Sequence, residues 1–494
     1  MDILRGRRIK KSSKRAIAFI SSIEFDDQIT KHVIKINMAH MLSLIRTGSV
    51  DRNIGVDCLR FLSGLPSDLK LDPRTEDVHQ MIEQEAIKAV GMEVAGYMNL
   101  GKSRNDQVAT ALRMECREMI LATCSKLISL QETLATIARK HSATPFPGYT
   151  HLQHAQPITL GHHFQSYLHA LQRDVERLTQ AYARLNTSPM GLAALAGTSV
   201  RVDRERVSML LGFEGLVRNS VDGVSSRDFV AELLFSAQIV MIDLSRIAEE
   251  VVLWSSSEFG YTEVADEYAA TSSIMPQKKN PVVAETVRAK CSTSLGHLTA
   301  VCGLLRALPN SYNLDLQEAT PHLWASLRDT KESVEMMTGM LSSLNFKVER
   351  IEESLQDDKS TATELANFLV TREGLPFREA HAVVGELVWR SLNKKISLVD
   401  AASQYLPEVS SSLVGRELKI DKASLRNVLD VRKTLARIRS KGGANPKLTI
   451  AELSKDRNLI SDNKGWVRKK SNALEEADRL LENQVRLYVD GVKN

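Results

Sequence analysis

A long segment at positions 105–140 contains neither proline nor glycine, the two residues that most often break a helix. Apolar residues recur there at spacings of three, four and seven, at Cys116, Ile120, Leu127, Leu130, Leu134 and Ile137. These spacings place the apolar side chains on one stripe of a helix, as in the seam of a coiled coil. The segment therefore predicts one long helix that must pack lengthwise against other long helices.

Three more segments are candidates for its packing partners. Positions 164–185 keep alternating apolar steps of four and three, and positions 227–256 are apolar on more than one face. Positions 283–305 return to helix after a loop that contains Pro276. Aromatic residues make up only 5% of the chain, which disfavours a β-sandwich or β-barrel core. We therefore expect an all-α protein with a central bundle of long helices, whose seams need further subunits to cover them.

The connections and ends of the bundle follow from composition and length. The stretch "PFPGYTHLQHAQP" carries three prolines, which predict an extended connector between the first two long helices. At 494 residues the chain is too long for one ordinary core. We predict an N-terminal helical domain at 1–105, the central bundle at 106–356 and a C-terminal helical domain at 357–494.

Charge and cysteine content limit the partners and the compartment. The 65 Lys and Arg residues nearly balance the 60 Asp and Glu residues, so the net charge of +5 argues against nucleic acid as the main partner. A basic run at 5–15 is expected to be a solvated arm, with docking on an anionic surface as the alternative. No run approaches the ~18 apolar residues of a membrane helix. Five cysteines without a C-x-x-C pair predict a reduced, cytoplasmic protein.

Four polar clusters interrupt the helical pattern, and the first two precede predicted helices. Ser22 stands beside "EFDD", where a helix cap is an equal alternative to a site. The second cluster, "GKSRNDQ", opens the first long helix. Ser103 or Asn105 can cap this helix, whereas Lys102 and Arg104 together with free backbone N–H groups predict an anion site.

The other two clusters are richer in possible chemistry. Thr150 and His151 lie in the extended connector, and a zinc site is one alternative there. The H-x-x-H pair of His151 and His154 lacks an evident carboxylate companion, which argues against zinc. The fourth cluster is "TSSIMPQKKNP" at 271–281, which has none of the glycines of a phosphate-binding loop. Its alternatives are a cationic surface loop and a catalytic loop.

Together these clusters resemble the argininosuccinate lyase family of the fumarase/aspartase superfamily. The resemblance covers nearly the whole chain through "SSIEFDDQI", "EDVHQMIE", "GKSRNDQVAT", "GYTHLQHAQP", "NSVDGVSSRDFVAE", "LWSSSEFGY", "SSIMPQKKNP", "YNLDLQE" and "FLVTREGLPFREAHAVVGELV". The S-S-x-M-P loop marks the superfamily, and its Q-K-K-N version together with "SRNDQ" and "THLQ" favours the argininosuccinate branch.

The resemblance implies a three-domain fold whose central long helices are shared in a homotetramer, with each active site built from clusters of three subunits. It implies the reversible anti elimination of argininosuccinate to L-arginine and fumarate, the last step of arginine biosynthesis. No metal or other cofactor is implied. Such an elimination removes a proton beside a carboxylate, so the developing negative charge needs fixed cations and N–H donors.

The resemblance also implies residue roles. Ser272 is the general base, and Lys278 and the loop amides are the available means of activating it. His151 is tied to general acid function at the departing guanidine nitrogen, and Glu285 orients it. Substrate binding is implied for Ser22, Ser103, Arg104, Asn105, Thr150, Asn280, Tyr312 and Gln317.

The chain departs from the family pattern at several positions. Thr271 stands where glycine is usual, Val282 where aspartate is usual, and Lys102 where arginine is usual. The most consequential departure is Thr320 in "YNLDLQEAT", where the family has a substrate-binding lysine. Residues that can compensate for this lost cation are His322 and Lys331.

Two other functions stay open. Thr320 permits a lyase that releases fumarate from another N-substituted succinate, and a substrate profile separates this activity from the first. A non-catalytic structural protein on the same fold is the other alternative, as in the lens crystallins recruited from this family. The combined presence of Ser272, Lys278 and His151 argues against that loss of activity.

Overall fold

The computed structural model describes residues 13–66, 68–356 and 359–491, and α-helices dominate all three stretches. The first helices are α1 (Lys14–Ile20), α2 (Thr30–Arg46), α3 (Arg52–Ser63), α4 (Val78–Val90) and α5 (Met92–Ala95). The central part contains α6 (Arg104–Lys140), β1 (Pro145–Thr150), β2 (Gln153–Thr159), α7 (Leu160–Leu185), α8 (Arg204–Leu210), α9 (Ser220–Ser225), α10 (Asp228–Ser255), β3 (Thr262–Glu263), β4 (Ala270–Thr271), β5 (Lys279–Asn280), α11 (Val282–Leu305), α12 (Asp315–Ser342), β6 (Asn345–Phe346) and α13 (Val348–Ser354). The last helices are α14 (Ala362–Glu373), α15 (Phe377–Lys394), α16 (Leu398–Val414), α17 (Lys422–Leu429), α18 (Val431–Arg437) and α19 (Pro446–Asp490).

The all-α prediction is confirmed. Helices α6, α7, α10 and α11 confirm the four predicted long helices, with ends within a few residues of those expected. They pack lengthwise with α12 into one bundle, in which α10 lies against α11 and α6 against α7. Leu127, Leu171 and Leu234 are fully buried between them. Each such leucine contributes about 1.5–3 kcal/mol of transfer free energy, so the apolar stripes read from the sequence stabilise the bundle.

The C-terminal part contains a second, smaller core and one returning helix. Helices α14 to α17 enclose the second core, in which Leu365, Leu387 and Leu425 are fully buried. Helix α19 returns to the bundle and packs against α6, burying Leu453 and Leu481 in the main core. The domain borders after 105 and after 356 stay predictions.

The strands are short and position loops. The extended connector is confirmed, and it folds back on itself as an antiparallel hairpin of β1 and β2 in which Thr150 pairs with Gln153. Strands β4 and β5 pair and close the loop at 272–278, and β3 pairs with β6. None of the described helices is long and apolar enough to cross a membrane. The basic run at 5–15 lies mostly outside the described residues.

Candidate active site

The "GKSRNDQ" cluster forms the start of α6. Ser103 Oγ accepts the Asn105 N–H at 3.4 Å, and the Ser103 N–H donates to Asp106 Oδ1 at 2.9 Å. This capping box confirms that Ser103 caps the helix. Asp106 Oδ2 accepts two further N–H groups, from Gly191 at 3.1 Å and Ala193 at 2.8 Å. The cap therefore ties the helix start to a neighbouring loop, and burial raises the pKa of Asp106 to about 6.

A narrow cavity lies beside this helix start. Four predicted substrate-binding residues line it, namely Ser22, Arg104, Tyr312 and Gln317. Arg104 Nη1 lies 3.0 Å from Asp77 Oδ2. Ser22 Oγ donates to Asp26 Oδ2 at 3.1 Å, and Gln317 Nε2 donates to the Ile20 carbonyl at 2.9 Å. Packing of distant segments thus brings half of the predicted substrate-binding residues to one place.

The cavity combines carboxylates and guanidinium groups in a buried setting. Burial raises the pKa of Asp26 to about 7. Burial also raises the pKa of Asp77, although the Arg104 charge opposes this. Arg227 lines the same cavity, is 2% exposed, and has an Nε without a hydrogen-bond partner among the described residues. Burial lowers the pKa of Arg227 to about 10. Such a cavity suits a ligand that carries both charges.

Lys102 and Asn105 do not line this cavity. The Lys102 ammonium donates to Asn37 Oδ1, and burial lowers the pKa of Lys102 to about 8. Asn105 Nδ2 donates to the Ala194 carbonyl at 2.9 Å. The structure therefore separates Lys102 from Arg104, against the expectation that they share one anion site.

His151 and Leu152 form the two-residue turn between β1 and β2. Both have a φ of 56°, in the left-handed region, which costs a non-glycine residue roughly 1–3 kcal/mol. Thr150 and His151 are both exposed at this turn. Tyr149 Oη lies 2.7 Å from Tyr261 Oη and fixes the hairpin to the body of the protein. The hairpin therefore presents His151 to solvent on a strained but anchored turn.

Ser272 and Lys278 lie at the two ends of the loop that β4 and β5 close. Ser272 Oγ accepts the N–H groups of Ile274 at 3.3 Å and Met275 at 3.2 Å. Lys278 is exposed and forms no ion pair within the described part of the chain. The loop thus carries a hydroxyl oxygen with two N–H donors and an uncompensated positive charge.

Asn280 and Glu285 follow this loop directly. Asn280 pairs with Ala270 in the strand ladder, and Glu285 is exposed in the first turn of α11. Lys279 Nζ donates to Asp266 Oδ1 at 2.6 Å, so the second lysine of the loop is already neutralised. Lys278 is therefore the lysine of this pair that can serve a substrate.

The predicted site residues fall into three groups along the chain. Among residues 13–66, 68–356 and 359–491, no hydrogen bond or ion pair joins the cavity at Arg104, the turn at His151 and the loop at Ser272. The same described residues show no bond between Glu285 and His151. Within the described residues, the three groups of predicted site residues are therefore not bonded to one another.

Three charged residues of the cavity were not predicted as site residues, namely Asp26, Asp77 and Arg227. All three occur in motifs that carried the family resemblance, "SSIEFDDQI", "EDVHQMIE" and "NSVDGVSSRDFVAE". Asp77 is also the N-cap of α4, where its Oδ1 accepts the Gln80 N–H at 2.7 Å. The motifs therefore contained these three residues, but the sequence did not show that they are buried beside a cavity, because that depends on long-range packing.

Thr320, the most consequential departure from the family pattern, lines the same cavity. His322 and Lys331 do not line it, and His322 Nδ1 instead lies 3.0 Å from His297 Nδ1. The cations that line the cavity within the described residues are Arg104 and Arg227.

The chain is similar to known proteins along most of its length. The family model "Lyase" matches residues 17–296, and the model "Argininosuccinate lyase C-terminal" matches residues 359–436. The argininosuccinate lyase of Methanocaldococcus jannaschii is 43% identical over 438 residues, which cover 87% of this chain and 88% of that protein. The argininosuccinate lyase of Methanothrix thermoacetophila is 41% identical over 494 residues, covering 99% and 98%.

Solved structures show the same fold. A crystal structure of EDDS lyase in complex with formate superposes with a TM-score of 0.87 at 29% identity, covering 97% of this chain and 96% of that chain. The relative from Methanothrix thermoacetophila matches nearly the full length of the chain, and the two family models match separate, successive parts of it. The chain therefore belongs to the argininosuccinate lyase family.

Proposed function

We propose that the chain catalyses the reversible anti elimination of argininosuccinate to L-arginine and fumarate. The observation that carries this proposal is the loop of Ser272 and Lys278, which places an N–H-bonded hydroxyl and an unpaired ammonium on one exposed segment. Membership of the argininosuccinate lyase family supports the choice of substrate. The remaining residues act around this loop.

Ser272 is the proposed general base. A free serine hydroxyl keeps its proton near neutral pH, so a serine base needs an environment that favours the anionic oxygen. The N–H groups of Ile274 and Met275 donate to Ser272 Oγ, and such hydrogen bonds favour the anion. The positive charge of Lys278 also favours the anionic form of the serine oxygen.

Lys278 and Asn280 stabilise the charge that develops on the substrate. Loss of the proton beside a carboxylate makes that carboxylate a dianion, and fixed donors stabilise the dianion more than the ground state. Lys278 is free for this role because its ammonium forms no ion pair within the described residues. The neighbouring Lys279, in contrast, is paired with Asp266. Asn280 holds the same carboxylate through its side-chain amide.

His151 either protonates the departing guanidine nitrogen directly or relays a proton to it. His151 is exposed on the strained turn of the β1–β2 hairpin, which supports a functional role and not a role in packing its own chain. Glu285 of another subunit orients the imidazole and favours its protonated form. The exposure of Glu285 in the first turn of α11 supports this partnership.

The cavity at the start of α6 binds the substrate. It contains both carboxylates and guanidinium groups, which match a molecule with an ammonium and carboxylates. Ser22, Arg104, Tyr312 and Gln317 supply contacts from within the cavity. Ser103, Asn105 and Thr150 supply contacts from the helix start and from the hairpin.

The working form is a homotetramer that shares its active sites between subunits. Two observations support this. Within the described residues, no hydrogen bond or ion pair joins His151 to Ser272 or Glu285. The bundle also exposes large apolar side chains, among them Phe235 (51% exposed), Leu295 (51%) and Met336 (43%). Apolar residues on α10, α11 and α12 are those that packing with further bundles buries.

The five cysteines are all unpaired, and three of them are buried. Free thiols persist in a reducing compartment, which supports the proposal that the enzyme works in the cytoplasm.

Fumarate release by the purified protein tests the proposed reaction. The panel is argininosuccinate, adenylosuccinate, malate and aspartate, and the ultraviolet absorbance of fumarate is the readout. We expect release from argininosuccinate alone, its loss in Ser272→Ala, and its retention in the matched control Ser273→Ala. No release from argininosuccinate by the folded wild type, or equal activity of Ser272→Ala and Ser273→Ala, contradicts the proposal.

A second candidate is favoured by Thr320, which lines the cavity where the family resemblance implies a lysine. It is the release of fumarate from another N-substituted succinate. The similarity to EDDS lyase at 29% identity supports considering this class. Release of fumarate from another N-substituted aspartate at a higher kcat/KM than from argininosuccinate establishes this alternative.

A further inference from the structure

A second cluster of potential ligands lies between α7 and α19. It consists of His169 on α7 with Glu452 and Asp456 on α19, whose ligand atoms all lie within 4.8 Å of one another. The two carboxylates are four positions apart on one helix, so they lie on the same face. None of these residues belongs to the cavity at Arg104, to the hairpin turn or to the loop of Ser272.

The centre of the cluster is already ordered. Asp456 is 2% exposed, and its Oδ1 lies 3.0 Å from His169 Nε2. Gln165 Nε2 donates to Asp456 Oδ2 at 2.8 Å, and Gln165 is itself buried. A hydrogen bond to the second oxygen orients the carboxylate, as the outer partners of metal ligands do.

An open cavity meets the cluster. His162, His169, Glu452 and Thr449 line this cavity together with the glycine pair at 442–443. Thr449 is 1% exposed, and its hydroxyl has no hydrogen-bond partner within the described part of the chain. A buried polar group of this kind needs a bound partner, which a water or a hydrated ion in the cavity supplies.

We propose that His169, Glu452 and Asp456 bind a divalent first-row transition-metal ion such as Zn²⁺ and thereby connect α7 to α19. One imidazole nitrogen and two carboxylate oxygens form a donor set that Zn²⁺ accepts at about 2.0–2.2 Å per bond, with water completing the site. Two donors on a tetrahedral ion at that distance lie about 3.3 Å apart, close to the His169–Asp456 spacing. The site is structural, because no predicted catalytic residue takes part in it.

One charged side chain competes with the ion. Lys455 Nζ donates to Glu452 Oε2 at 2.6 Å, and 70% of the Lys455 side chain is exposed. An exposed ion pair contributes little free energy, so the ammonium can move into solvent when the ion binds. Lys441 also lines the cavity and lowers the attraction for any cation. Removal of the Lys455 charge is therefore expected to strengthen metal binding.

A similar cluster elsewhere lacks this capacity. His32, Glu115 and Glu118 also lie within ligand distance of one another. Lys31 Nζ lies 3.2 Å from Glu115 and 2.6 Å from Glu118, and both carboxylates raise the pKa of Lys31 against its desolvation. The ammonium is less exposed than Lys455 and bridges both carboxylates, so it occupies the position of the cation.

Metal titration of the full-length protein tests the proposal. The protein is first stripped with a chelator, and Zn²⁺ binding is then measured by competition with a chromophoric chelator. We expect Glu452→Gln and His169→Gln to lose one bound Zn²⁺ per chain or to bind it at least about tenfold more weakly. Lys455→Ala is expected to bind Zn²⁺ more tightly than wild type.

The matched control is Glu475→Gln, which removes an exposed carboxylate from the same helix α19. It should bind Zn²⁺ like wild type. Circular dichroism melting in excess chelator checks that each variant is folded, and cleavage of argininosuccinate should be unchanged in all of them. Equal Zn²⁺ affinity and stoichiometry in wild type, Glu452→Gln and His169→Gln overturns the proposal. A Lys455→Ala variant that binds more weakly than wild type overturns the assigned ligand Glu452.

Discussion

Replacement of Asp106 by alanine is expected to destabilise the protein strongly. The Asp106 carboxylate is fully buried and accepts three backbone N–H groups, from Ser103 through Oδ1 and from Gly191 and Ala193 through Oδ2. Alanine leaves all three donors without a partner at a site that water does not reach. Each buried unsatisfied group costs about 1–3 kcal/mol, so the low end of this range already gives roughly 3 kcal/mol.

Asparagine at the same position distinguishes hydrogen bonding from packing. It keeps the shape and one acceptor oxygen, which can hold the Gly191 and Ala193 donors, but its NH₂ group faces the Ser103 N–H. We therefore expect Asp106→Asn to cost roughly 1–2 kcal/mol, which is less than the alanine effect. Because Asp106 also fixes the helix start that carries Ser103 and Arg104, both variants should raise KM for argininosuccinate.

The assay is urea denaturation followed by circular dichroism at one fixed protein concentration, since association shifts the apparent stability. The free energies come from the transition midpoints at a common slope. An alanine variant within about 1 kcal/mol of wild type refutes the role of the three hydrogen bonds. An asparagine variant as unstable as the alanine variant shows instead that the charge of Asp106 is essential.

Three other substitutions have defined outcomes. Because burial raises the pKa of Asp26 to about 7, the wild type should lose stability relative to Asp26→Asn as the pH rises from about 4 to about 7, and thermal melts across that range measure the difference. Leu152→Gly removes the side chain from a left-handed turn position, and the relief of strain less the entropy cost of glycine should increase the free energy of unfolding by up to about 1 kcal/mol. A higher melting temperature is the expected readout, and an unchanged or lower melting temperature argues against strain. Lys278→Met should lower kcat roughly 10²–10³-fold, whereas Lys279→Met, which removes an ammonium already paired with Asp266, should lower it far less; equal losses contradict the assigned role of Lys278.

The long helices could be predicted from the sequence because their signals are local. The apolar stripe at 105–140 and the absence of proline and glycine define α6 without reference to the rest of the chain. The same holds for the start of α6, where Ser103 and Asp106 form the capping box within four consecutive residues. Local signals also gave the extended connector, although its pairing into a hairpin depends on contacts between β1 and β2.

The cavity could not be predicted to the same degree, because it is a product of long-range packing. Asp26 and Arg227 lie shortly before α2 and α10, in distant parts of the chain, and they become cavity residues only because the tertiary fold places both segments beside Arg104. The family resemblance did predict several of their neighbours in the cavity, such as Arg104 and Tyr312. Burial, the direction of each pKa shift and the unpartnered Nε of Arg227 follow from the fold alone.

The start of α6 shows how capping changes the expected anion site. The free N–H groups of a helix start can bind either a cap or an anion, and here Ser103 and Asp106 provide a cap with a negative charge. An anionic substrate group must therefore find its charge partners among side chains. Arg104 is already paired with Asp77, whereas Arg227 has an Nε without a partner in the described part of the chain. We therefore expect carboxylate binding in the proposed substrate cavity, which holds Thr320 where the family resemblance implies a lysine, to depend more on Arg227 than the motifs alone indicate.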